Sequence, residues 1–337
     1  FEMKLFKDKK IFLLSFLFLS SCIEDAPLDS LSPAGPYARS IDELFWLTFW
    51  IAVGVFAIVQ GALLFSVFYF KERESSPEPK QIHGNNFLEI LWTIIPVLIL
   101  AVIAVPTVRT IFDLAREPED ALKIEVIGHQ WWFEYKYPDF GITTANVLVI
   151  PEDRPVRLEM WSNDVLHNYW VPKLNGKRYL VPGQTTYLNL QADSPEEFWA
   201  QCGEYCGLSH SKMRGRVISM TEEDFASWVA NEQSYAQKEL PESSLAAEGQ
   251  VVYLNAGCTQ CHVIDGVWDV QGDRIAPNLT HFANRNVFAG AALKNNPENL
   301  TKWLANPAEI KPGTFMPNLE LTEKEINALI AYLGTLK

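Results

Sequence analysis

The sequence predicts a multidomain membrane protein: a two-helix transmembrane hairpin, then an all-β domain, then an all-α domain. Three observations predict it: two long apolar runs, a series of short alternating runs rich in Val, Ile, Tyr and Trp, and helix-capping signals near the C-terminus. Of the 337 residues, 48% are hydrophobic, which excludes a disordered chain. The net charge of -13 argues against nucleic-acid binding, because phosphate contacts need clustered Lys and Arg.

The chain is predicted to divide into eight segments. They are a lipoprotein-type signal peptide (1–22), an exported N-terminal segment (23–43), two transmembrane helices (44–70 and 87–108) joined by a cytoplasmic loop (71–86), a β domain (120–220), a helical linker (221–243) and a C-terminal domain (244–337). The linker is acidic, and we expect its charges to form a solvated face.

The first segment has the features of a secretory signal. Four lysines follow Met3, an apolar stretch runs from Ile11 to Leu19, and the segment ends in Leu19-Ser20-Ser21-Cys22. This ending resembles the lipobox of bacterial lipoproteins, in which the cysteine is acylated, so Cys22 is a candidate for lipid attachment. An uncleaved anchor with an incidental cysteine is the alternative.

Two runs are long enough to cross a bilayer. Leu44 to Phe70 carries no charge, and Phe87 to Val108 carries only Glu89. Three basic residues lie in the loop between them, against one between Cys22 and the first run, which places the loop in the cytoplasm and both tails outside. An ionisable group inside a span is a functional candidate, but Glu89 could equally be a carboxylate at the membrane interface.

The β domain is expected to be an antiparallel sandwich or small barrel with a cluster of metal-ligand types. Its candidate donors are His167, Cys202, Glu204, Cys206, His210 and Met213. Thiolate, imidazole and thioether groups favour copper over calcium or magnesium. Two thiolates four positions apart can bridge two copper ions, with the histidines capping the ends and the methionine and the Glu204 carbonyl as weak axial donors. A disulfide, structural zinc and a copper-delivery site stay open as alternatives.

Two adjacent tryptophans, Trp131 and Trp132, precede a predicted strand. Consecutive strand residues point to opposite faces, so the two side chains are not expected to share the core. One of them should then be exposed and available to a partner.

Over residues 40–220 the chain resembles subunit II of the haem-copper cytochrome c oxidases. The segments that carry the resemblance are Glu89–Pro96, Gly128–Trp131, Asp164–His167, Val181–Gly183 and Cys202–Met213. The resemblance implies a cupredoxin Greek-key barrel with the dinuclear copper centre CuA on the six donors above. It also implies that electrons enter at Trp131, that Glu204 touches a magnesium ion shared with subunit I, and that Glu89 stands at the mouth of a proton path. The positions that depart from the family pattern are Phe133, Tyr179 and Gln184.

The C-terminal domain contains Cys258-Thr259-Gln260-Cys261-His262. A Cys-x-x-Cys pair alone could be a redox dithiol or half of a zinc site, but a histidine directly after the second cysteine is the attachment signature of haem c. Two thioether bonds fix the porphyrin edge, and the adjacent imidazole of His262 then lies under the iron. Met316 is the leading sixth ligand, because no other methionine follows the motif, and His281 is the alternative.

Over residues 244–337 the chain resembles a class I cytochrome c. Helical signals frame the haem motif, and Thr322 and Glu325 form a capping box for the last helix. We expect Gly249 and Tyr253 to lie where an earlier helix crosses this last one. By the resemblance, the carbonyl of Pro277 orients the haem-binding histidine.

Together these features predict electron transfer from haem c to CuA and on to haem a of subunit I. The leading hypothesis is subunit II of a bacterial cytochrome c oxidase with a fused cytochrome c, an oxidoreductase and translocase that reduces oxygen to water, pumps protons and is not catalytic alone. The expected partners are subunits I and III, an upstream cytochrome c or quinol–cytochrome c reductase-type complex, and lipid of the bacterial inner membrane, with both domains on its periplasmic face. A CuA-type nitric oxide or nitrous oxide reductase and a membrane-anchored copper-delivery protein stay open as alternatives.

Overall fold

The computed structural model describes residues 26–72, 81, 83–233, 240–268 and 275–337. The predicted signal peptide with Cys22 lies outside the described residues, as do residues 73–80 of the predicted cytoplasmic loop. The described part contains a helical hairpin, a β domain and a small helical domain, which confirms the predicted fold class.

Two long helices form the hairpin. Helix α1 spans Pro36–Tyr69 and helix α2 spans Asn86–Ala115, with mean hydropathies of 2.3 and 2.6 in their most apolar windows. At about 1.5 Å per residue, each exceeds a hydrocarbon core of about 30 Å. No residue of α2 is buried in the described chain, so its apolar side chains are free to meet lipid or another subunit.

The β domain consists of two five-stranded sheets. Its strands are β1 (Leu122–His129), β2 (Trp132–Tyr137), β3 (Ile142–Ala145), β4 (Val147–Pro151), β5 (Val156–Ser162), β6 (His167–Trp170), β7 (Arg178–Leu180), β8 (Thr186–Leu190), β9 (Glu197–Cys202) and β10 (Arg214–Met220). The orders are β3-β2-β1-β5-β8 and β4-β10-β9-β6-β7. The expected antiparallel arrangement is wrong for β1–β5 and β4–β10, which are parallel, because the chain crosses to the second sheet at β4 and returns for β5.

Alternation along β2 builds the core between the sheets. Phe133, Tyr135 and Tyr137 lie at every second position and are fully buried, as one face of a strand requires. The hydroxyl of Tyr137 donates to the carbonyl of Val149 at 2.8 Å, and that of Tyr135 lies 3.2 Å from the hydroxyl of Tyr169. The buried phenols therefore keep hydrogen-bond partners, which limits the cost of removing them from water.

The β domain is fixed to the membrane hairpin at both of its outer helix ends. The amide of Asn189 on β8 donates to the carbonyls of Leu114 and Arg116 at 3.0 and 2.8 Å, where α2 ends. Arg39, near the start of α1, forms an ion pair with Asp193 just after β8. The end of β8 and the residues just after it thus anchor both helices.

The C-terminal part is mainly helical. Its elements are α3 (Glu222–Gln233), α4 (Leu245–Asn255), the short pair β11 (Val287–Phe288) and β12 (Leu293–Lys294), α5 (Pro297–Ala305), α6 (Pro307–Ile310) and α7 (Glu323–Leu333). Helices α4 and α7 cross where Gly249 lies: a Cβ there would come within 2.0 Å of the Ala328 carbonyl oxygen. The rings of Tyr253 and Tyr332 pack beside this crossing with centroids 5.9 Å apart. The predicted Thr322 and Glu325 capping box is present.

Candidate metal centre and haem site

Strand pairing brings the first two candidate metal donors together. Strand β6 begins at His167 and pairs with β9, which ends at Cys202, so that Tyr169 stands opposite Cys202. The amide N–H of Gly203 donates to the carbonyl of Asn168 at 3.1 Å and extends this contact. As a result, Nδ1 of His167 lies 3.9 Å from Sγ of Cys202, although the residues are 35 positions apart.

The loop from Cys202 to Met213 folds back on itself and brings in the other donors. Its ends are joined by the N–H of Cys202, which donates to the Met213 carbonyl at 3.0 Å. The two cysteine sulfurs are 3.7 Å apart. Sγ of Cys206 lies 3.5 Å from Nδ1 of His210 and 3.9 Å from Sδ of Met213, and Sγ of Cys202 lies 3.3 Å from the Glu204 carbonyl oxygen.

All six predicted donors therefore converge around the two sulfurs. Both thiols are buried and are not joined by a disulfide in the structure. The set of two thiols, two imidazoles, a thioether and a carbonyl has the softness that copper prefers, and it exceeds the four ligands of structural zinc. The donors fit a copper centre.

Asp164 fixes the orientation of His167. Its carboxylate lies 2.7 Å from Nε2 of the ring, so the hydrogen bond takes the proton on Nε2 and leaves Nδ1 turned toward the sulfurs. Burial lowers the pKa of His167, but the hydrogen bond to Asp164 and the interaction with Cys202 raise it, and the pKa ends above its ordinary value. Gly128 leaves room for the ring, since a Cβ there would lie 2.8 Å from Cδ2 of His167.

The two thiols influence each other's ionisation. The hydrogen bond from Cys206 lowers the pKa of Cys202 to about 4, whereas the same contact raises the pKa of Cys206. The contact therefore favours the thiolate at Cys202 and the thiol at Cys206. Because thiolates are the metal-binding form, loading of the second sulfur releases a proton.

Both adjacent tryptophans are buried, so the expectation that one is exposed is wrong. Trp131 is 5% and Trp132 7% exposed. Trp131 lies in the turn between β1 and β2, where strand alternation does not apply, and its Nε1 donates to the Cys206 carbonyl at 2.9 Å. Trp132 stacks on His129 with centroids 4.2 Å apart.

The haem attachment motif lies after α4 on a short 3-10 turn. Cys258 and Cys261 are half-buried and free, as covalent attachment requires. Nδ1 of His262 lies 2.8 Å from the Pro277 carbonyl oxygen, which leaves Nε2 as the metal-binding nitrogen. Burial lowers the pKa of His262 and so favours the neutral imidazole, the form that binds iron.

The two candidates for the opposite iron ligand have different surroundings. Met316 packs against the hydrophobic core of the C-terminal domain. Nε2 of His281 lies 3.2 Å from the Glu232 carbonyl oxygen at the end of α3, so this ring faces the linker helix. The surroundings favour Met316 as the ligand.

Two further predicted residues lie at the membrane and at the loop surface. Glu89 occupies the first turn of α2 and is exposed. The side chain of Glu204 is half-buried and accepts a hydrogen bond from Tyr179, which raises the pKa of the phenol. Tyr179 is thus a polar partner at a position where the sequence departs from the family pattern.

Comparison with known families and proteins identifies the chain. Family models match residues 29–110 (cytochrome c oxidase subunit II, transmembrane domain), 141–220 (cytochrome c oxidase subunit II, periplasmic domain) and 246–337 (cytochrome c). Cytochrome c oxidase subunit 2 of Alkalihalophilus pseudofirmus is 38% identical, with 99% of each chain covered. The chain belongs to the cytochrome c oxidase subunit II family.

One further relative and one solved structure are also similar to this chain. Cytochrome c oxidase subunit 2 of Bacillus subtilis is 34% identical over 95% of each chain. The periplasmic domain of subunit II of cytochrome oxidase from Bradyrhizobium japonicum is 25% identical, with a TM-score of 0.34, over 36% of this chain and 97% of that chain. The matched domains imply CuA copper in the β domain, haem in the cytochrome c domain, and a membrane protein with a periplasmic domain.

Sequence reasoning did not assign three residues of this subunit II that shape the site. The role of Asp164 could have been predicted from its spacing, because a carboxylate three residues before a ligand histidine can reach the ring nitrogen that does not bind metal. Gly128 was included in the segment Gly128–Trp131, but that segment gave no sign that the glycine makes room for His167. Lys311, which contacts Trp131, carried no local signal because the two residues are 180 positions apart.

Proposed function

We propose that this subunit II accepts electrons through a covalently bound haem c and relays them through a dinuclear CuA centre to haem a of subunit I. There they reduce oxygen to water in a reaction coupled to proton pumping. The observation that carries the proposal is the convergence of six donors of the kinds that copper prefers around Cys202 and Cys206. A copper pair in this place would accept and release one electron at a time.

The protein's own part is to hold the donors in position before and after each transfer. His167 is fixed by Asp164, and the loop is closed by the hydrogen bond between Cys202 and Met213. His167 and Cys202 are buried on β6 and β9, and Cys206 and Met213 are buried on the loop, so little movement would accompany a change of charge. Cofactors supply the redox chemistry and the chain supplies their placement.

In the C-terminal domain, Cys258 and Cys261 would attach the haem, and His262 and Met316 would bind its iron. The Pro277 carbonyl sets the His262 ring in the tautomer that this role needs. A thioether ligand raises the reduction potential of a haem, which suits a carrier close to the oxygen-reducing end of a respiratory chain.

Trp131 is proposed as the residue through which electrons pass from the haem domain to the copper loop. Its indole N–H donates to the carbonyl of the copper ligand Cys206 at 2.9 Å. This hydrogen bond joins the indole, which lies against the C-terminal domain, directly to the backbone of a copper ligand.

The remaining roles rest on family resemblance and location. Glu204 would contribute to a magnesium site shared with subunit I, and Glu89, at the opposite end of α2 from the β domain, would stand at a proton path. Acylated Cys22 would add a lipid anchor in the bacterial inner membrane. Subunits I and III would bind the hairpin, and an upstream cytochrome c or quinol–cytochrome c reductase-type complex would reduce the haem.

Metal and haem analysis with electron paramagnetic resonance tests the proposal on the purified full complex. We expect two copper ions and one haem c for each copy of this chain, with a mixed-valence copper signal. The Cys206→Ser variant should lose this signal, and the control variant Ser227→Ala, at an exposed position of α3, should keep it. Zinc or a single cupric ion at full occupancy would contradict the copper assignment. Turnover with nitric oxide but not with oxygen would instead place the chain in a nitric oxide reductase.

A further inference from the structure

The C-terminal domain packs on the metal-binding side of the β domain. Val287 and Ala291 are buried in the hydrophobic core cluster of the β domain. Nδ2 of Asn286 donates to Glu197 at 2.8 Å, and the N–H of Arg214 donates to the Gly290 carbonyl at 2.8 Å. The interface therefore combines apolar burial with side-chain and backbone hydrogen bonds.

The amino group of Lys311 is buried in this interface. The residue is 4% exposed, and its Nζ donates to the carbonyl of Trp131 and, at 3.1 Å, to that of Ala289. A buried amino group without hydrogen bonds is costly, so this position is stable only while both carbonyls stay aligned. The bond to Trp131 exists only while the two domains are in contact.

The β-domain loop also holds both neighbours of Lys311. The hydroxyl of Ser209 donates to the Pro312 carbonyl at 2.7 Å, and the Lys212 ammonium group donates to the Ile310 carbonyl. Three consecutive residues of the C-terminal domain are thus bonded to the β domain. Such a contact fixes the position of the segment and its orientation.

Two glycines allow the backbone to approach Trp131 closely. Gly290 and Gly313 have φ values of 74° and 80°, which favour glycine. A Cβ at Gly290 would lie 2.6 Å from the Trp131 carbonyl oxygen, and a Cβ at Gly313 would lie 2.8 Å from Cη2 of its ring. The turn that precedes Met316 therefore touches the indole, whose N–H is bonded to Cys206.

We infer that Lys311 is a positioning residue for electron transfer: it holds the turn at Gly313 against Trp131, so that the copper site receives electrons from the chain's own haem domain. Since Trp131 is only 5% exposed, a separate cytochrome c has no access to the indole while this contact is closed. The inference rests on the proposed function for its redox step. In that step one electron leaves the reduced haem and arrives at the oxidised copper centre, and no bond or proton is exchanged.

Lys311→Met in the full complex tests this role, because methionine keeps the side-chain length and removes the donors. The matched control is Lys302→Met, an exposed lysine on α5. Hydroxyl-radical labelling of Trp131, read by mass spectrometry, reports domain contact without any cofactor activity. Flash reduction of the haem, followed by copper reduction in the near infrared, reports the transfer rate.

We expect Lys311→Met to raise Trp131 labelling and to slow haem-to-copper transfer roughly tenfold or more, because the two lost hydrogen bonds leave buried carbonyl oxygens without a donor and shift the docking equilibrium. The copper and haem contents and the haem potential should stay unchanged. Labelling and transfer rate equal to wild type, with both cofactors present, would overturn the inference, whereas missing copper or haem in the wild type would overturn the proposed function instead. If Lys311→Met does not fold, Gly290→Ala opens the same contact from another segment and must give the same two changes.

Discussion

The carboxylate of Asp164 lies 2.7 Å from Nε2 of His167, while Nδ1 of the same ring faces Cys202. The carboxylate also accepts hydrogen bonds from the backbone N–H groups of Gln130 and Val165, both at 2.6 Å. Asp164 thereby connects the turn that holds Trp131 to the proposed copper ligand. Its negative charge holds the proton on Nε2 of His167, and its position joins that ring to the turn at Gln130.

Asp164→Asn should weaken copper retention. The ring loses its ionised partner, and changes to such groups typically cost about 10- to 100-fold in metal affinity. Competition of the purified complex with a copper chelator measures the effect, while haem content should not change. Asp139→Asn is the matched control, because Asp139 is exposed on a turn, and equal copper retention in the two variants would contradict the role of Asp164.

Met213→Leu should raise the copper reduction potential and leave that of the haem unchanged. The thioether is a weak donor that supports the more positive, oxidised centre, and a change of about 60 mV corresponds to a tenfold change in a one-electron equilibrium. A potentiometric titration that follows the two optical bands separately measures both midpoints. Equal shifts of both midpoints would show that the sites are not independent.

Gly249→Ala should destabilise the haem domain by about 1–3 kcal/mol. The added methyl group would meet the Ala328 carbonyl oxygen at 2.0 Å and force α4 away from α7. Denaturant unfolding followed by haem absorbance measures the free energy of unfolding. An unchanged midpoint would mean that the helices separate at little cost.

Contact between the domains should strengthen as the pH rises above 7. Burial lowers the pKa of Lys311 to about 7, with a raising effect from Cys206 and a further lowering effect from Lys212. When the domains separate, the lysine regains a pKa of about 10.4, so between these values the separated state binds more protons and higher pH favours contact. Below pH 7 the lysine is protonated in both states and this dependence ends.

Trp131 labelling measured from pH 6 to 9.5 reports this dependence. Labelling should fall with increasing pH in the wild type and stay flat in Lys311→Met. A parallel fall in both proteins would assign the effect to another group.

The sequence allowed the local parts of the site to be predicted, because their geometry depends on spacing. Cys202, Cys206, His210 and Met213 lie on one loop, and Cys258 and Cys261 are separated by two residues. The distances of the copper donors follow from closure of that loop by β9 and β10. The residues of the haem motif are equally close in sequence.

Contacts between distant segments could not be predicted in the same way. The burial of Trp131 depends on Gly313 and Lys311, and neither residue belongs to a pattern with a period or a motif. The parallel pairing of β1 with β5 depends on the path of the chain between the two sheets. Such features arise from the tertiary fold and cannot be predicted from local composition.

Because Asn189 is hydrogen-bonded to the end of α2, the length of that helix determines how the β domain is oriented. Each residue of a helix adds about 1.5 Å of rise and about 100° of rotation. Asn189 of the β domain binds the carbonyls of Leu114 and Arg116 directly. One residue inserted in α2 before Leu114 would therefore rotate the loop from Cys202 to Met213 by about 100° around the helix axis. The register of α2 therefore sets the direction in which the loop from Cys202 to Met213 faces relative to the membrane helices.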